Sequence, residues 1–97
     1  MTPYRVRYTP TAAQSIRHLH PSIKQAIREA IRSLSSVPFQ GHPLTFELTG
    51  FRSLRISRYR VIYRIQEADR AVEIHLAGAR KDIYEVFRQF LERISKT

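Results

Sequence analysis

The sequence predicts an α+β fold, in which an antiparallel sheet of about four strands carries an N-terminal helical hairpin and a C-terminal helix. Two kinds of periodicity support this prediction, because apolar residues recur at every second position in some stretches and at steps of three and four residues in others. The helical stretches lie near the two ends of the chain, and polar turns join the later strands, which favours a meander. The predicted order is therefore β-α-α-β-β-β-α.

The N-terminal part of the chain predicts one strand and two helices. Residues 3–9 alternate tyrosine or valine with arginine, as a strand with one buried face does. Thr9 can cap a first helix, since threonine accepts hydrogen bonds from free amide groups. His20-Pro21 interrupts that helix, and Ser22 is placed to cap a second one. The apolar stripe of the second helix is Ile23, Ala26, Ile27, Ala30, Ile31 and Leu34.

The later strands follow a linker at residues 35–43 that contains two prolines and a glycine. Alternation predicts strands within residues 44–48, 54–63 and 72–76, with a turn inside the second of these ranges. A final helix is expected after Asp82, which can cap it. The side chains expected to be buried on these strands are Leu44, Phe46, Leu48, Tyr59, Val61, Tyr63, Val72, Ile74 and Leu76.

The composition is strongly basic and dominated by arginine. The 97 residues carry 17 Lys and Arg against 8 Asp and Glu, a formal net charge of +9, and 14 of the 17 basic residues are arginine. The planar guanidinium group suits the oxygens of phosphates and carboxylates better than a lysine ammonium does. This composition predicts a nucleic acid or an acidic protein as the partner.

The length fits one domain spanning residues 1–97. The absence of cysteine excludes disulfides, cysteine zinc sites and thiol nucleophiles, and it fits a reducing compartment. Arg5 and Arg7 are not followed by the apolar core of a signal peptide, and no stretch is long enough to span a membrane. We therefore expect a soluble, cytoplasmic protein that makes no membrane contact.

Candidate catalytic residues come from three regions of the chain. Arg55 and Arg60 project from the predicted sheet, Arg80 follows the last strand, and Tyr84 lies just beyond it. Cleavage of a phosphodiester requires stabilisation of negative charge and transfer of a proton, which positioned arginines and a tyrosine could supply. His42 in the linker is a further candidate for proton transfer, because catalytic groups often lie on loops.

Neighbouring cations extend this surface, and we assign RNA binding to Arg55, Arg58, Arg60 and Lys81. No metal or cofactor site is predicted, because Asp69 and Asp82 are the two aspartates of the chain and neither lies near a glutamate at a ligand spacing. Arginines on an open sheet are also ordinary solvated residues. A basic domain that binds RNA, DNA or an acidic protein without any chemistry therefore stays open.

Several short motifs follow one another along the chain in a defined order and spacing. They are Thr11-Ala12-Ala13, Pro38-Phe39 with Gly41, Leu48-Thr49-Gly50-Phe51, Leu54-Arg55-Ile56, Tyr59-Arg60-Val61-Ile62-Tyr63, and Gly78-Ala79-Arg80 running to Ile83-Tyr84. Together these motifs resemble the RelE/ParE toxin superfamily of bacterial and archaeal toxin-antitoxin modules, and the resemblance covers nearly the whole chain.

The resemblance implies a RelE-like fold and, in the RelE branch, an endoribonuclease that cuts mRNA in the ribosomal A site without a metal. The 2′-hydroxyl attacks the adjacent phosphate and leaves a 2′,3′-cyclic end. Arg60 matches the family's phosphate-clamping arginine, Arg55 a basic position of the preceding strand, and Arg80 the arginine after the last strand. Tyr84 matches a position that aids proton transfer. The implied partners are a cognate acidic antitoxin and the ribosome.

Two positions depart from the family pattern. Ser53 stands where some RelE-like members carry the first of two lysines. His42 stands near the place where other members carry a glutamate base, so it becomes the candidate base here. The resemblance also leaves an alternative, because ParE-like members share the scaffold. The alternative is an inhibitor of DNA gyrase that performs no chemistry on RNA.

Overall fold

The computed structural model describes residues 3–95. The elements follow the order strand, two helices, four strands and a final helix, with two short 3₁₀ turns in the middle. The strands are β1 (Arg5–Tyr8), β2 (His42–Pro43), β3 (Arg52–Ile56), β4 (Tyr59–Gln66) and β5 (Ala71–Ala79). The helices are α1 (Pro10–Arg17), α2 (Pro21–Leu34) and α3 (Ile83–Ser95), and the 3₁₀ turns are Pro38–Gln40 and Phe46–Leu48. None of the helices described is long and apolar enough to cross a membrane.

The sheet has five strands in the order β1-β5-β4-β3-β2. Strands β2 to β5 form an antiparallel meander, and β1 pairs in parallel with β5. The α+β class, the helical hairpin and the C-terminal helix are confirmed, whereas the sheet is mixed and has one strand more than expected. Two parallel neighbouring strands need a long connection between them. Here the helical hairpin and strands β2 to β4 form the connection from β1 to β5.

The two N-terminal helices begin differently from one another. Thr9 caps α1, because its hydroxyl oxygen accepts a hydrogen bond of 3.0 Å from the amide of Ala12, as expected. The cap of α2 is His20 and not Ser22, since the ring of His20 accepts from the Ser22 amide at 3.2 Å. Pro21 occupies the first helical position, which needs no amide hydrogen, so the capping residue precedes it.

Both faces of the sheet are covered by helices. On one face, which we call the hairpin face, α1 and α2 pack on side chains of β3, β4 and β5; its buried residues are Ala12, Ile16, Ile27, Ile31, Leu34, Leu54, Val61, Tyr63, Val72, Ile74 and Ala77. On the other face, the α3 face, the buried residues are Leu48, Ile62, Leu76, Ile83 and Phe87. The sequence predicted Arg55 and Arg60 on a sheet face open to solvent. They lie instead on the α3 face, which the C-terminal helix partly covers.

The prediction of a strand at residues 44–48 is wrong. Strand β2 lies earlier, where His42 pairs with Ser53 of β3, and the expected strand is instead a loop that ends in a 3₁₀ turn. Phe46 has a φ of 55° and is 87% exposed, while Leu48 is 8% exposed. A left-handed residue cannot continue a strand, so the alternation of leucine and phenylalanine did not produce one.

A bulge in β5 changes which residues share a face. Ile62 pairs with Leu76 and Tyr63 pairs with Ile74, so His75 is an extra residue between the two pairs. Ile74 belongs to the hairpin face, but Leu76 belongs to the α3 face. The expectation that Val72, Ile74 and Leu76 line one face therefore fails at Leu76, because strict alternation does not pass through a bulge.

Candidate functional site

Two arginines lie directly opposite each other at the start of β4. Arg55 of β3 pairs with Arg60 of β4, and Arg60 lies two residues before Ile62, which is buried on the α3 face. Residues opposite each other in an antiparallel pair have Cβ atoms about 5 Å apart, and like charges there are destabilising. An anion held between the two guanidinium groups would remove that repulsion.

The guanidinium of Arg60 is held in a defined direction. Its Nη1 donates a hydrogen bond to Ser53 Oγ at 3.3 Å, and its Cζ lies 5.7 Å from the ring centroid of Tyr84. Its Nε is buried and has no hydrogen-bond partner within residues 3–95. A buried donor without a partner costs about 1–3 kcal/mol. The buried Nε of Arg60 therefore lowers the stability of the folded protein, and stability alone does not explain why Arg60 occupies this position.

Ser53 joins the two candidate residues. It is 1% exposed, and its Oγ also accepts a hydrogen bond of 3.0 Å from the hydroxyl of Tyr84, which comes from the first turn of α3. One buried hydroxyl thus positions a cation from β4 and a phenol from α3. Sequence reasoning missed this role, although a small polar residue two positions before Arg55 on the same strand face was a usable signal.

His42 and Tyr84 face the same shallow depression. Its volume is about 310 Å³, and it is lined by His42, Pro43, Leu44, Thr45, Leu48 and Tyr84. His42 is exposed and lies opposite Ser53 in the β2–β3 pair. The structure therefore brings the predicted base and the predicted tyrosine to one cavity, next to the serine that holds Arg60.

The backbone that precedes His42 is anchored from the hairpin face. The amide of Gly41 donates to the hydroxyl of Tyr63 at 2.9 Å, and that hydroxyl donates to the carbonyl of Pro38 at 2.7 Å. Arg52 donates to the carbonyl of Gly41 at 2.6 Å. A Cβ on Gly41 would lie 2.6 Å from the carbonyl oxygen of Ser53, so the close approach of β2 to β3 requires glycine.

The remaining predicted residues lie at the end of the sheet. The amide of Arg80 donates to the carbonyl of Arg58 at 2.7 Å, which ties the residue after β5 to the turn between β3 and β4. Arg58, Arg80 and Lys81 are exposed. Within residues 3–95, the side-chain hydrogen bonds to Ser53 Oγ come from Arg60 and Tyr84, and the structure therefore does not join the predicted Arg80 to that cluster by a hydrogen bond.

The far end of the same face carries a different kind of cluster. Glu73 accepts hydrogen bonds from Arg7 at 2.9 Å and from Arg64 at 3.2 Å, and His75 lies edge-on to Phe51 with ring centroids 5.0 Å apart. Burial alone would raise the pKa of Glu73, but hydrogen bonds led by that from Arg64 bring the pKa below its ordinary value. Burial lowers the pKa of His75. These charges are mutually paired, in contrast to Arg55 and Arg60.

The cluster of Arg55, Arg60, Tyr84 and His42 combines two kinds of group. The guanidinium groups can hold a phosphate, and the phenol and imidazole can transfer protons beside it. Within residues 3–95 no three His, Cys, Asp or Glu side chains are grouped so as to hold a metal ion.

Known proteins share this sequence pattern and this fold. The family model described as the ParE toxin of the type II toxin-antitoxin system parDE matches residues 6–84. Toxin RelG of Mycobacterium tuberculosis is 42% identical over 84 residues, which cover 84% of this chain and 97% of RelG. Toxin RelE of the same organism is 37% identical over 78 residues, which cover 77% of this chain and 80% of that toxin.

Solved structures agree with these matches. The toxin-antitoxin complex RelBE2 of Mycobacterium tuberculosis contains a chain with a TM-score of 0.76 at 39% identity, and the match covers 80% of this chain and 99% of that one. Free E. coli RelE carrying two arginine-to-alanine substitutions also has a TM-score of 0.76, at 16% identity, with 95% of this chain and 98% of that one covered. The second likeness concerns the fold alone.

The fold and the matches together define a class of protein. The family model spans most of the chain, and the RelG match spans nearly the whole of RelG. This chain belongs to the RelE/ParE toxin superfamily. It is a toxin of a type II toxin-antitoxin module.

Proposed function

We propose that this toxin is a ribosome-dependent mRNA endoribonuclease that works without a metal and inhibits translation in the cytoplasm. The observation that carries the proposal is the placement of Arg60, which lies opposite Arg55, is held by Ser53 and stacks on Tyr84. A phosphodiester at this point would meet two fixed positive charges on a rigid sheet. We also propose that residues 1–97 form a single toxin domain.

In the proposed reaction the 2′-hydroxyl of one nucleotide attacks the phosphorus of the adjacent phosphodiester. His42 takes the proton from that hydroxyl, and Tyr84 donates a proton to the departing 5′-oxygen. The bond from phosphorus to the 5′-oxygen breaks, so the products carry a 2′,3′-cyclic phosphate and a 5′-hydroxyl. Both proton-transfer groups line one depression, which supports their assignment to the same reacting centre.

The basic residues stabilise the charge in this reaction. Arg60, Arg55 and Arg80 offset the additional negative charge that the phosphate gains as the 2′-oxygen attacks. Arg58 and Lys81, which are exposed at the adjoining end of the sheet, bind the neighbouring phosphates of the mRNA. Arginine suits this task because it remains charged at every working pH.

The proposed partners follow from charge and from the relatives. The RelBE2 structure of Mycobacterium tuberculosis is a toxin-antitoxin complex, so we propose a cognate antitoxin for this chain as well. The formal net charge of +9 favours an acidic antitoxin that is steered to the basic surface by electrostatics. The second partner is the ribosome with mRNA in its A site.

The test is to induce the toxin briefly without an antitoxin and to map the 5′ ends of cellular mRNA. We expect new ends in phase with codons, 5′-hydroxyl groups at those ends, and growth arrest. The combined substitution Arg60→Ala and Arg80→Ala should reduce cleavage at least about 100-fold, because it removes two of the positive charges that the proposal assigns to the phosphate. Full cleavage by the double variant would disprove the proposed site.

Arg64→Ala is the matched control for this experiment. Arg64 lies on β4 on the same face as Arg60, but it is paired with Glu73 at 3.2 Å. Its loss should leave the cleavage pattern and the rate per folded molecule unchanged. Equal loss of cleavage in Arg64→Ala would mean that general charge, and not the Arg60 geometry, supports RNA cleavage.

A second candidate function is inhibition of DNA gyrase. The family model that matches residues 6–84 is described as a ParE toxin, which favours this alternative. It predicts that the purified toxin blocks supercoiling while translation continues and mRNA stays intact. A third outcome, salt-dependent RNA binding with no cyclic-phosphate product and no growth arrest, would indicate a basic binding domain without chemistry.

A further inference from the structure

Phe46 is the large hydrophobic side chain with the highest exposure among residues 3–95. It is 87% exposed, whereas the next, Phe39, is 58% exposed. Sequence alternation predicted Phe46 to be buried on a strand, and the structure places the ring in solvent. An aromatic ring displayed in this way contributes little to folding through burial.

The backbone at Phe46 is also in an unfavourable conformation. Its φ of 55° lies in the left-handed region, which a bulky L-residue rarely adopts. Ser57 and Arg70 share a positive φ, but they lie in the short turns that join neighbouring antiparallel strands, where this geometry is usual. A glycine would satisfy the backbone at position 46, as Gly50 does with a φ of 100° in the same connection. The phenylalanine is therefore not explained by the turn.

The turn that carries Phe46 is fixed in place. The carbonyl of Phe46 accepts hydrogen bonds from the amide and the hydroxyl of Thr49, at 3.1 and 2.7 Å, and the carbonyl of Thr45 accepts from the amide of Leu48 at 3.1 Å. The side chain of Leu48 is 8% exposed and anchors the turn in the α3-face core. The ring is presented by a preorganised backbone, so its binding would not require the loop to be ordered first.

The same turn forms one wall of the depression described above. Thr45 and Leu48, which flank Phe46 closely in sequence, line that depression together with His42 and Tyr84. Phe46 does not line the depression itself, but it lies in the chain between two residues, Thr45 and Leu48, that do. A nucleotide chain that has a phosphate at Arg60 and a sugar in this depression would have its next base beside the turn that carries Phe46.

We propose that Phe46 is a stacking platform for an RNA base adjacent to the scissile phosphate. The inference rests on the proposed ribonuclease function and names a substrate-positioning residue for it. Unpaired RNA bases stack on exposed aromatic rings with little dependence on base identity, and each such contact contributes measurably to affinity. The stacked base would hold the sugar and its 2′-hydroxyl in register with the phosphate bound by Arg60.

The experiment uses ribosomes programmed with mRNA that carries 2-aminopurine in the A-site codon, once with normal riboses and once with a 2′-O-methyl group that blocks attack. Wild-type toxin should quench the 2-aminopurine fluorescence on binding the blocked mRNA. Phe46→Ala and Phe46→Leu should abolish the quenching, weaken binding about 5-fold to 150-fold and lower the cleavage rate at limiting toxin. Phe46→Trp should keep the quenching, the affinity and the cleavage rate of wild type.

Two further variants separate stacking from folding. Phe46→Gly suits the left-handed backbone, so its Tm should equal or exceed that of wild type while RNA binding falls as in Phe46→Ala. Phe39→Ala is the matched control, because Phe39 is an exposed phenylalanine that lines a different cavity with Tyr4 and Arg70. It should leave both quenching and affinity unchanged.

Several results would overturn the inference. If wild type cleaves the A-site codon and Phe46→Ala matches it in affinity, quenching and rate, the stacking role fails while the ribonuclease proposal stands. If wild type quenches the blocked mRNA but does not cleave the unblocked mRNA, the ribonuclease proposal fails, the positioning role of Phe46 fails with it, and base binding alone remains. Absence of any RNA binding defeats both. If Phe46→Ala binds RNA normally but binds its antitoxin more weakly, Phe46 is a protein-docking residue instead.

Discussion

The two faces of the sheet use a tyrosine hydroxyl for different purposes. On the hairpin face, Tyr63 is fully buried, and its hydroxyl links the backbone groups of Pro38 and Gly41. On the α3 face, Tyr84 is partly exposed, and its hydroxyl shares Ser53 with Arg60. Both hydroxyls are hydrogen-bonded, but the first holds the chain together and the second lies beside an open depression.

The polar groups of the two faces also differ in how fully they are satisfied. The hairpin face places a larger buried cluster under two helices, and the Tyr63 hydroxyl donates one hydrogen bond and accepts another. On the α3 face Arg60 lies opposite Arg55, and its buried Nε has no hydrogen-bond partner among the residues that the structure describes. Groups that are left unsatisfied in a folded protein tend to mark functional sites. We therefore interpret the hairpin face as the one that supports the fold and the α3 face as the one that carries the candidate site.

The largest expected effect is on activity and concerns Tyr84→Phe. If Tyr84 transfers a proton in the reaction, its loss should lower mRNA cleavage by about 100-fold to 10,000-fold. The Tm should change little, because the hydroxyl lies at a partly exposed site. Cleavage of A-site mRNA on purified ribosomes measures the first effect, and thermal denaturation followed by circular dichroism measures the second. Unchanged cleavage would remove Tyr84 from the site.

The next effect is on stability and concerns Tyr63→Phe. The substitution leaves the buried carbonyl of Pro38 and the amide of Gly41 without their partner, which should lower the free energy of unfolding by about 2–4 kcal/mol. Urea denaturation measures this loss. Cleavage per folded molecule, measured well below the Tm, should fall far less than in Tyr84→Phe. A Tyr63→Phe protein with the same free energy of unfolding as wild type would contradict the supporting role of the hairpin face.

A smaller effect is expected for Ser53→Ala. The substitution removes the shared acceptor of Arg60 and Tyr84 but keeps both side chains, so cleavage should fall by about 10-fold to 100-fold through loss of orientation. Ser53→Thr retains the hydroxyl and should restore part of the rate if its methyl group is accommodated. Measuring kcat and KM separately tests the positioning role, which predicts that the loss is mainly in kcat. A change in KM alone would contradict it.

The smallest effect concerns pH and the paired cluster at the far end of the α3 face. The pKa of His75 is lowered in the folded protein, so the folded state binds a proton less readily than the unfolded state. Stability should therefore fall as pH decreases below the ordinary histidine value of about 6.5, by at most about 1.4 kcal/mol per pH unit.

His75→Asn should remove this slope between pH 7 and pH 5. The lowered pKa of Glu73 has the same sign, since its stabilising ionised form is present above its ordinary pKa and is lost as the pH falls through the folded value. The loss of stability that accompanies protonation of Glu73 should remain in His75→Asn at lower pH. Unfolding free energies at several pH values measure both, and an unchanged slope in His75→Asn would assign the effect to another group.

Sequence reasoning succeeded where a property is local. The alternation of Tyr59, Val61 and Tyr63 marked β4 correctly, and Thr9 capped its helix as expected. It failed where geometry depends on distant partners. Phe46 fits the alternation of a strand, but pairing in this segment stops at the hydrogen bond from the Leu44 amide to the Phe51 carbonyl, and the chain then forms a 3₁₀ turn. Leu76 fits the same alternation, but the bulge at His75 moves it to the other face.

The candidate site shows the same division. The sequence identified Arg55, Arg60 and Tyr84 by residue type and by resemblance, and the structure brings them to one face. Ser53 drew attention only as a departure from the family pattern, yet it is the residue that joins Arg60 to Tyr84. A side chain that works by hydrogen bonding to distant residues has no local signature in the chain.

The sequence by itself determined the α+β class and the basic character, because periodicity and charge are read along the chain, and together with the family resemblance it predicted the arginines of the candidate site. The tertiary structure alone decided that β1 lies parallel to β5, that Arg60 and Tyr84 share Ser53, and that Phe46 is exposed. Each of these depends on contacts between residues far apart in sequence, and such contacts exist only after the sheet has assembled.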